Sequence, residues 1–262
     1  MKLYARRGFE WAEDGLVGLW CPVLTGATQS LLLDCNPLTS NHGTLTGYTN
    51  INTGWVGSPF GTVINIDGVS GQFSAPSDTI LTGNFSVSMW VNIQASTGFY
   101  MTLFERPPGR TLSVWLGGSV ISGVAVGGTG QFVNRALGIV LNRWHLFTIV
   151  RRRFQCFYYL DGVLQSQSGI SEFSVTTETA LNGTQWTIGP SSTGGGTRLN
   201  AFVAEFAPRS IDLLDGQIMQ AFQAGPGGMW QDRPRRSRSY FASAGFKAYW
   251  ARRQSQLIGG GV

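Results

Sequence analysis

The glutamates are the residues best suited to acid–base chemistry in this sequence, and they are scattered. A retaining glycosidase needs two carboxyl groups about 5 Å apart, which a strand supplies when it carries carboxylates at neighbouring positions on one face. No segment that reads as a strand contains a Glu-x-Asp or Glu-x-x-x-Glu pattern. Four glutamates stand without a paired carboxylate: Glu105, Glu172, Glu178 and Glu205. We therefore predict no catalytic residues and no enzymatic activity.

Nucleophilic and phosphate-transfer chemistry also lack their usual residues. The histidines are His42, in a predicted loop, and His145, on a predicted strand, and no Gly-x-Ser-x-Gly elbow occurs. A phosphate-binding loop places a lysine after its glycines, but the chain has no lysine between Lys2 and Lys247. The Gly-rich stretch "GGGTR" is therefore predicted to be a turn.

The cysteines predict a reducing compartment. Cys21, Cys35 and Cys156 form an odd number at irregular spacing, which disfavours a disulfide framework and a zinc knuckle. Three buried free thiols in a protein made in the cytosol are the expectation.

Residues 229–262 combine cations with aromatic side chains. Seven Lys and Arg residues against one Asp give this segment a net charge of +6, so residues 1–228 sum to −1. Runs of like charge with Ser and Gly are typical of disorder, yet large aromatics are costly to leave in water. We predict an anchor that binds acidic groups and apolar recesses of a partner through these residues: Arg233, Arg235, Arg236, Arg238, Phe246, Tyr249, Trp250, Arg252 and Arg253.

The remainder of the chain reads as β-strands. Gly is abundant (36 residues) and charged residues make up only 13%. The segment "FSVSMWVNI" (85–93) alternates apolar and polar residues with the period of a half-buried strand, and Asp161-Gly162 between two apolar runs predicts a type I′ hairpin turn. One helix is predicted, capped by Ser210, running from Ile211 to Phe222 and stopped by the glycines after residue 224.

Seven short motifs occur in an order that resembles laminin-G-like, concanavalin A-like jelly rolls. The resemblance covers residues 15–224 and rests on these segments: "GLVGLW", "SNHGTLTG", "INIDG", "FSVSMWV", "NRWHLFTIVRRRFQCFYYLDGVL", "WTIG" and "FVAEFAPRSIDLLDGQIMQAF". It implies an all-β fold, a sandwich of two antiparallel sheets of six or seven strands with one short helix at an edge. Arg151-Arg152-Arg153 departs from the family's Asp-Gly turn and is either a solvated turn or a contact for an acidic neighbour.

The resemblance also implies two kinds of binding site. The fold often carries calcium at a loop rim, for which Asp34, Asn36 and Asp67 are the candidates here; Asx turns explain the same residues without an ion. No other cofactor is expected. Glycan binding in the family relies on exposed aromatics, for which Trp55, Trp115 and Trp186 are the candidates; burial in the core is the alternative for each.

The tail resembles the ending of laminin-G-like structural proteins of tailed bacteriophages, where a Pro/Arg-rich segment precedes a short hydrophobic, glycine-containing terminus. This implies a non-enzymatic virion protein, such as a capsid decoration or tail-associated protein, that contacts the major capsid or tail protein and forms a homo-oligomer. A lectin-like module for host-surface glycans is the alternative, and nucleic-acid contact through the tail is a third, less favoured one.

The predicted division is an N-terminal arm (1–14), a jelly roll (15–224) and a C-terminal anchoring tail (225–262). The first residues lack the apolar run of a secretory signal, and no stretch approaches the roughly 18 apolar residues of a membrane span. The expected location is therefore the virion, after synthesis in the host cytoplasm, with no membrane partner.

Overall fold

The structure, a computed structural model, describes residues 2–26, 30–77, 81, 83–95, 100–106, 112–117, 120–126, 129–131, 135–136, 138–152, 155–165, 172–174, 184–189 and 199–232. At residue 100, at the described positions within 112–136 and at 172–174 the description is of the backbone alone. The chain forms two compact units, Met1–Asp232 and Arg233–Val262. The first unit thus takes in both the expected N-terminal arm and residues 225–232.

Nineteen strands and two α-helices are present in the described residues, with short 3-10 turns at Glu10–Glu13 and Ile51–Gly54. The helices are α1 (Pro22–Thr25) and α2 (Asp215–Ala224). The strands are β1 (Leu3–Ala5), β2 (Leu31–Leu32), β3 (Gly43–Thr46), β4 (Trp55–Ser58), β5 (Gly61–Asp67), β6 (Gln72–Pro76), β7 (Phe85–Ala95), β8 (Tyr100–Glu105), β9 (Leu112–Gly117), β10 (Val120–Val126), β11 (Thr129–Gln131), β12 (Arg135–Ala136), β13 (Trp144–Arg152), β14 (Gln155–Leu160), β15 (Val163–Leu164), β16 (Glu172–Ser174), β17 (Gln185–Ile188), β18 (Asn200–Arg209) and β19 (Trp230–Asp232).

The strands build two large antiparallel sheets. The first sheet has eight strands in the order β15-β14-β13-β7-β18-β5-β4, with β16 paired to β14. The second has nine strands in the order β11-β10-β9-β8-β17-β6-β3-β2, with β12 paired to β10. This confirms the predicted all-β jelly-roll sandwich, although short additional strands give each sheet more members than the six or seven expected.

The core lies between the two sheets and is rich in aromatic rings. Phe206 of the first sheet stacks on Trp20 with ring centroids 5.7 Å apart and meets Trp186 of the second sheet edge-on at 5.4 Å. Phe104 contacts the same Phe206 ring at 5.6 Å. Such offset and edge-to-face contacts add to the free energy of burying large apolar surfaces, so this cluster fixes the spacing of the sheets.

Strand β7 is buried on both faces, which differs from the half-buried strand that its alternation predicts. Its inward side chains, among them Met89 and Val91, lie in the core. On its outward face Trp90 stacks on Phe222 of α2 at 5.8 Å, and the Ser86 hydroxyl donates to the Ile211 carbonyl at 2.9 Å. The alternation correctly indicates a strand, but the helical segment covers the face that was expected to meet solvent.

Helix α2 begins at Asp215, so the predicted start at Ser210 and Ile211 is wrong. Tertiary contacts hold the preceding residues outside the helix: Ser210 donates to the Gly15 carbonyl, and the Leu213 carbonyl accepts a hydrogen bond from Arg152 at 2.8 Å. The Leu214 N–H instead donates to the Gln217 side chain, which satisfies the first turn. The end of the helix at Ala224 agrees with the glycine stop.

The prediction of a turn at Asp161-Gly162 is confirmed, whereas the predicted turn at the arginine run is not observed at Arg151 and Arg152. Asp161 and Gly162 both have positive φ, 53° and 81°, between Leu160 and Val163, which confirms the type I′ hairpin. Arg151 and Arg152, in contrast, lie inside β13 and not in a turn. Arg152 pairs with Asp215 at 2.9 Å and with Asp212 at 3.4 Å, so the acidic neighbour belongs to the same chain. Arg153 lies outside the described residues.

The two ends of the described chain pair with each other. Strand β1 runs antiparallel to β19, with Leu3 opposite Asp232 and Ala5 opposite Trp230. Arg6 donates its backbone N–H to the Met229 carbonyl at 2.8 Å and its Nε–H to the Trp230 carbonyl at 2.9 Å. This ribbon closes the compact unit directly before Arg233. None of the helices that the structure describes is long and apolar enough to cross a membrane.

Candidate functional site

A polar row crosses four neighbouring strands of the second sheet. The register places Thr44 opposite Ser74, Ser74 opposite Thr187, and Thr187 opposite Glu105. Directly opposed residues of antiparallel strands share a face, and their chain neighbours Phe73, Phe104 and Trp186 lie in the core. The polar row, defined as Thr44, Ser74, Thr187 and Glu105, therefore lies on the outer face of this sheet.

Burial increases along the polar row from the edge of the sheet to its centre. Thr44 is exposed, Ser74 is half-buried, and Thr187 and Glu105 are 2% and 1% exposed. The Thr187 hydroxyl has no hydrogen-bond partner in the structure. A buried hydroxyl without a partner costs about 1–3 kcal/mol, and a polar group that reached this position would offset that cost.

A second hydroxyl of this kind stands further along β8. Thr102 is 1% exposed, and its Oγ1 likewise has no partner in the structure. Its neighbour Met101 and, beyond a bulge, Phe104 both belong to the core, which places Thr102 on the outer face. Two orphaned hydroxyls on one face are unusual, because most buried polar atoms in proteins are paired.

The three tryptophans predicted to bind glycans lie in different environments. Trp186 is fully buried in the core, where Arg106 lies over its ring at 5.1 Å, so this ring has no face open to a sugar. Trp55 is half-buried on β4, at the edge of the first sheet. Trp115 holds the register position opposite Thr102, but its side chain lies outside the description. Of the three positions, only that of Trp115 lies opposite one of the two unpartnered hydroxyls.

The described glutamates do not form a carboxylate pair on either sheet. Glu105 is the only carboxylate on any described strand of the second sheet. Glu205 lies on β18 of the first sheet and Glu172 on β16, where only the backbone is described. Glu178 lies outside the described residues. In this part of the chain the two-carboxylate geometry of glycoside hydrolysis is therefore not built from strand residues.

The Glu205 carboxylate is hydrogen-bonded to two donors that follow α2 in the chain. Its carboxylate accepts hydrogen bonds from the Gly227 N–H at 2.9 Å and from the Trp230 Nε1–H at 3.1 Å. Burial raises the pKa of Glu205 above its ordinary value of 4.5, while these two donors and Arg209 act in the opposite direction. The buried carboxylate thus holds residues 227–230 against the first sheet, immediately before the tail.

The calcium candidates do not converge on one site. Both oxygens of Asp34 accept hydrogen bonds from neutral donors, including the Leu19 and Asn41 N–H groups at 3.0 Å, and the Asn36 Oδ1 accepts from the Leu38 N–H at 3.0 Å. Asp67 caps a different loop through the N–H groups of residues 69–71. The Asx-turn alternative describes all three side chains. The described residues contain no cluster of three or more His, Cys, Asp or Glu side chains suited to a metal ion.

Other predicted residues have mixed outcomes. The nine predicted anchor residues of the tail all lie outside the described residues. Cys21, Cys35 and Cys156 are free and buried, as predicted. His145 contacts Asp161 through Nδ1 at 2.9 Å, and His42 accepts a hydrogen bond from the Asp34 N–H at 3.1 Å, which are structural roles.

Sequence comparison identifies the family of this fold. A profile of the concanavalin A-like lectin/glucanases superfamily (Laminin_G_3) matches residues 67–218, more than half of the chain. The chain belongs to this superfamily. The laminin-G-like resemblance inferred from the seven motifs is thereby confirmed, whereas its bacteriophage part stays a prediction. A comparison with curated protein sequences finds no match.

Solved structures similar to this concanavalin A-like chain share little sequence with it. The binding domain of botulinum neurotoxin DC, in complex with rat synaptotagmin II, has a TM-score of 0.60 at 14% identity over 81% of this chain and 52% of that one. The binding domain of Paraclostridial Mosquitocidal Protein 1 has a TM-score of 0.63 at 13% identity over 81% of this chain and 53% of that one. The Trypanosoma rangeli sialidase, in complex with sialic acid, has a TM-score of 0.58 at 17% identity over 79% of this chain and 32% of that one.

These likenesses show the fold alone. This concanavalin A-like chain spans about half the length of the two binding domains and about a third of the sialidase.

The sequence analysis missed most of the polar row. Thr44, Ser74 and Thr187 occupy the polar positions of short alternating segments, "GTLT", "QFSAP" and "QWTI". The alternation gives the outward direction of each side chain, but only the pairing of strands distant in sequence makes them neighbours. Glu105 was noticed only because no second carboxylate stands near it in sequence, and not as part of a surface.

Proposed function

We propose that this protein is a non-enzymatic, lectin-like module that binds a carbohydrate at the polar row of its second sheet. The observation that carries the proposal is the pair of buried, unpartnered hydroxyls of Thr187 and Thr102 on one outer face. Sugar hydroxyls both donate and accept hydrogen bonds, so they complement threonine hydroxyls and a carboxylate. The lectin/glucanases superfamily supports this class of function, and the likeness to two binding domains supports a binding role.

The test is binding of the full chain to an array of cell-surface oligosaccharides, followed by calorimetry on the best ligand. Thr187→Val and Thr102→Val remove one hydroxyl each at nearly constant shape and should weaken binding about tenfold, since each removes a hydrogen bond of roughly 1.4 kcal/mol. The matched control is Thr62→Val, on β5 of the first sheet, which should leave affinity unchanged. Equal binding by all four proteins would contradict the proposal.

The absence of catalysis is tested on the same ligand. Glu105 lacks a partner carboxylate on the described strands of its sheet, so wild type should release no product during prolonged incubation with the bound oligosaccharide. Steady cleavage that disappears in Glu105→Gln would show that the protein is an enzyme. The sialidase among the similar structures makes this assay necessary.

A structural role in a bacteriophage virion is the second candidate, with the jelly roll displayed and the C-terminal arm bound to a capsid or tail protein. Two observations favour it. The segment 233–262 carries six arginines among aromatic residues, and the Glu205 contacts together with the β1–β19 ribbon fix the strand from which this segment continues. Oligomerisation on the particle and glycan binding by the displayed face are compatible with this role.

The anchor is tested by occupancy on purified particles after a salt wash. If aromatic burial dominates, Trp250→Ala should cost about 2 kcal/mol or more of binding free energy, and Arg236→Ala well under that. Full occupancy of Trp250→Ala combined with stripping of wild type by salt would contradict the anchor. That outcome would indicate a screened electrostatic tail, and a salt-dependent affinity for DNA would then identify nucleic acid as its partner.

A further inference from the structure

The loop formed by residues 34–41 is organised around a buried carboxylate. Asp34 is 1% exposed, and its Oδ1 accepts the N–H groups of Leu19 and Asn36, both at 3.0 Å. Its Oδ2 accepts the Asn41 N–H at 3.0 Å and the Thr39 hydroxyl. The loop thus turns several of its donors towards one carboxylate.

Two carbonyl oxygens of the same loop meet a single cation. The Lys2 ammonium donates to the Asn36 carbonyl at 2.7 Å and, through a very short contact, to the Thr39 carbonyl. Asn36 is itself fixed, because its Nδ2–H donates to the Leu16 carbonyl at 2.8 Å. The carbonyls are therefore held in place by contacts that do not depend on Lys2.

We infer that the loop 34–41 is a cation-binding loop whose resident cation is the Lys2 ammonium. Backbone carbonyl oxygens are among the ligands that hard cations such as calcium prefer, and here an ammonium with three donors meets two of them. Burial is the main reason that the pKa of the nearby Cys35 thiol is about 12, and Asp34 raises this pKa while Lys2 lowers it.

This internal cation links the loop to the end of the compact unit. Lys2 directly precedes β1, which pairs with β19, and the Leu3 N–H donates to the Cys35 carbonyl at 2.9 Å. The loop, β1 and β19 are thus held together without a metal ion. The protein should accordingly be insensitive to calcium at this loop, and it should become sensitive when Lys2 loses its charge.

Thermal unfolding of the full chain tests the inference, with Lys2→Met as the variant and Arg7→Met as the matched control. Arg7 is an exposed cation of the same N-terminal segment. Wild type and Arg7→Met should melt at the same temperature in EDTA and in millimolar CaCl2. Lys2→Met should melt about 2–4 °C lower in EDTA, the shift that a loss of about 1 kcal/mol gives in a protein of this size, and CaCl2 should restore much of it.

The other outcomes overturn the inference. A calcium-dependent rise in the melting temperature of wild type would show that Lys2 does not fill the site. Rescue of Lys2→Met by KCl at equal ionic strength, to the same extent as by CaCl2, would indicate general screening. If Lys2→Met does not fold, the inference is tested by hydrogen exchange of the wild-type Asn36, Leu38 and Asn41 amides. Protection that changes by tenfold or more between EDTA and CaCl2 contradicts the inference. Unchanged protection supports it.

Discussion

The two sheets differ in whether the buried hydroxyl groups on their outer faces have hydrogen-bond partners. On the first sheet, Ser86 donates to Ile211, Arg152 pairs with Asp215, and Glu205 accepts from Trp230. Nη2 of the buried Arg209 on this face has no partner in the structure. On the second sheet, the hydroxyls of Thr187 and Thr102 are equally buried and have no partner in the structure.

The difference indicates that the two sheets have different roles. A buried polar group that is paired contributes to stability, whereas an unpaired one is a cost that a protein tolerates at a site of function. The first sheet is therefore a platform for α2 and for residues 227–230, and under the proposed function the second sheet carries the recognition face. Substitutions on the first sheet should reduce stability, and substitutions on the second should reduce binding.

The largest effect is expected from Trp90→Ala on the first sheet. The ring is 2% exposed and stacks on Phe222 of α2, so its removal leaves a cavity between sheet and helix. We expect a loss of about 3–5 kcal/mol in the free energy of unfolding, measured by urea denaturation. Trp55→Ala, at the half-buried edge position, should cost clearly less. Similar losses for both variants would show that α2 does not protect this face.

Glu205→Ala should destabilise by about 2–3 kcal/mol, because the buried Gly227 N–H and Trp230 Nε1–H both lose their acceptor. Trp230→Phe is the companion variant, since it removes one donor and keeps most of the ring. It should cost less than Glu205→Ala. A Glu205→Ala protein as stable as wild type would show that Glu205 does not contribute to the stability of the first sheet.

The raised pKa of Glu205 gives a dependence on pH with a definite sign. The folded state holds this proton more tightly than the unfolded state, so the stabilisation by protonation is complete below the ordinary value of 4.5 and is lost as pH rises through the raised pKa. The free energy of unfolding of wild type minus that of Glu205→Gln should fall across this window. A difference that rises with pH would show that the hydrogen bonds outweigh burial.

Arg152→Met should have a smaller effect, about 1 kcal/mol or less, because the Asp215 side chain that it pairs with is largely exposed. Hydrogen bonds from Tyr159 and Arg152 lower the pKa of Asp215 below its ordinary value of 3.8. This contribution is therefore present above that value and is lost as pH falls through the lowered pKa. Urea melts of wild type and variant at neutral and at strongly acidic pH should converge at the acidic end.

Thr187→Val should have the smallest effect on stability, within about 0.5 kcal/mol of wild type or slightly stabilising, because the hydroxyl that it removes has no partner. Thr148→Val on the first sheet is the matched control. Its hydroxyl donates to Ser88 at 3.2 Å and is equally buried, so its loss should be measurable by thermal unfolding. Equal costs for the two variants would erase the contrast between the sheets.

The strands and one turn of this protein could be predicted from short-range patterns. Alternation marks β7, and Asp161-Gly162 marks the β14–β15 hairpin, because a period of two and a pair of positive φ angles are local properties. The start of α2 could not be predicted from the capping pattern. Ser210 is a good helix cap in sequence, but it bonds to Gly15 and lies in the bend that precedes the helix.

The sequence by itself determined the fold class, the number and state of the cysteines and the concentration of charge in residues 229–262. Tertiary structure alone decided which polar residues are neighbours. Thr44, Ser74, Thr187 and Glu105 are distant along the chain and meet through strand register. Lys2 and Asn36 meet because the neighbouring Leu3 N–H donates to the Cys35 carbonyl. The physical reason is that alternation fixes the face of a side chain, whereas long-range hydrogen bonding fixes its partners.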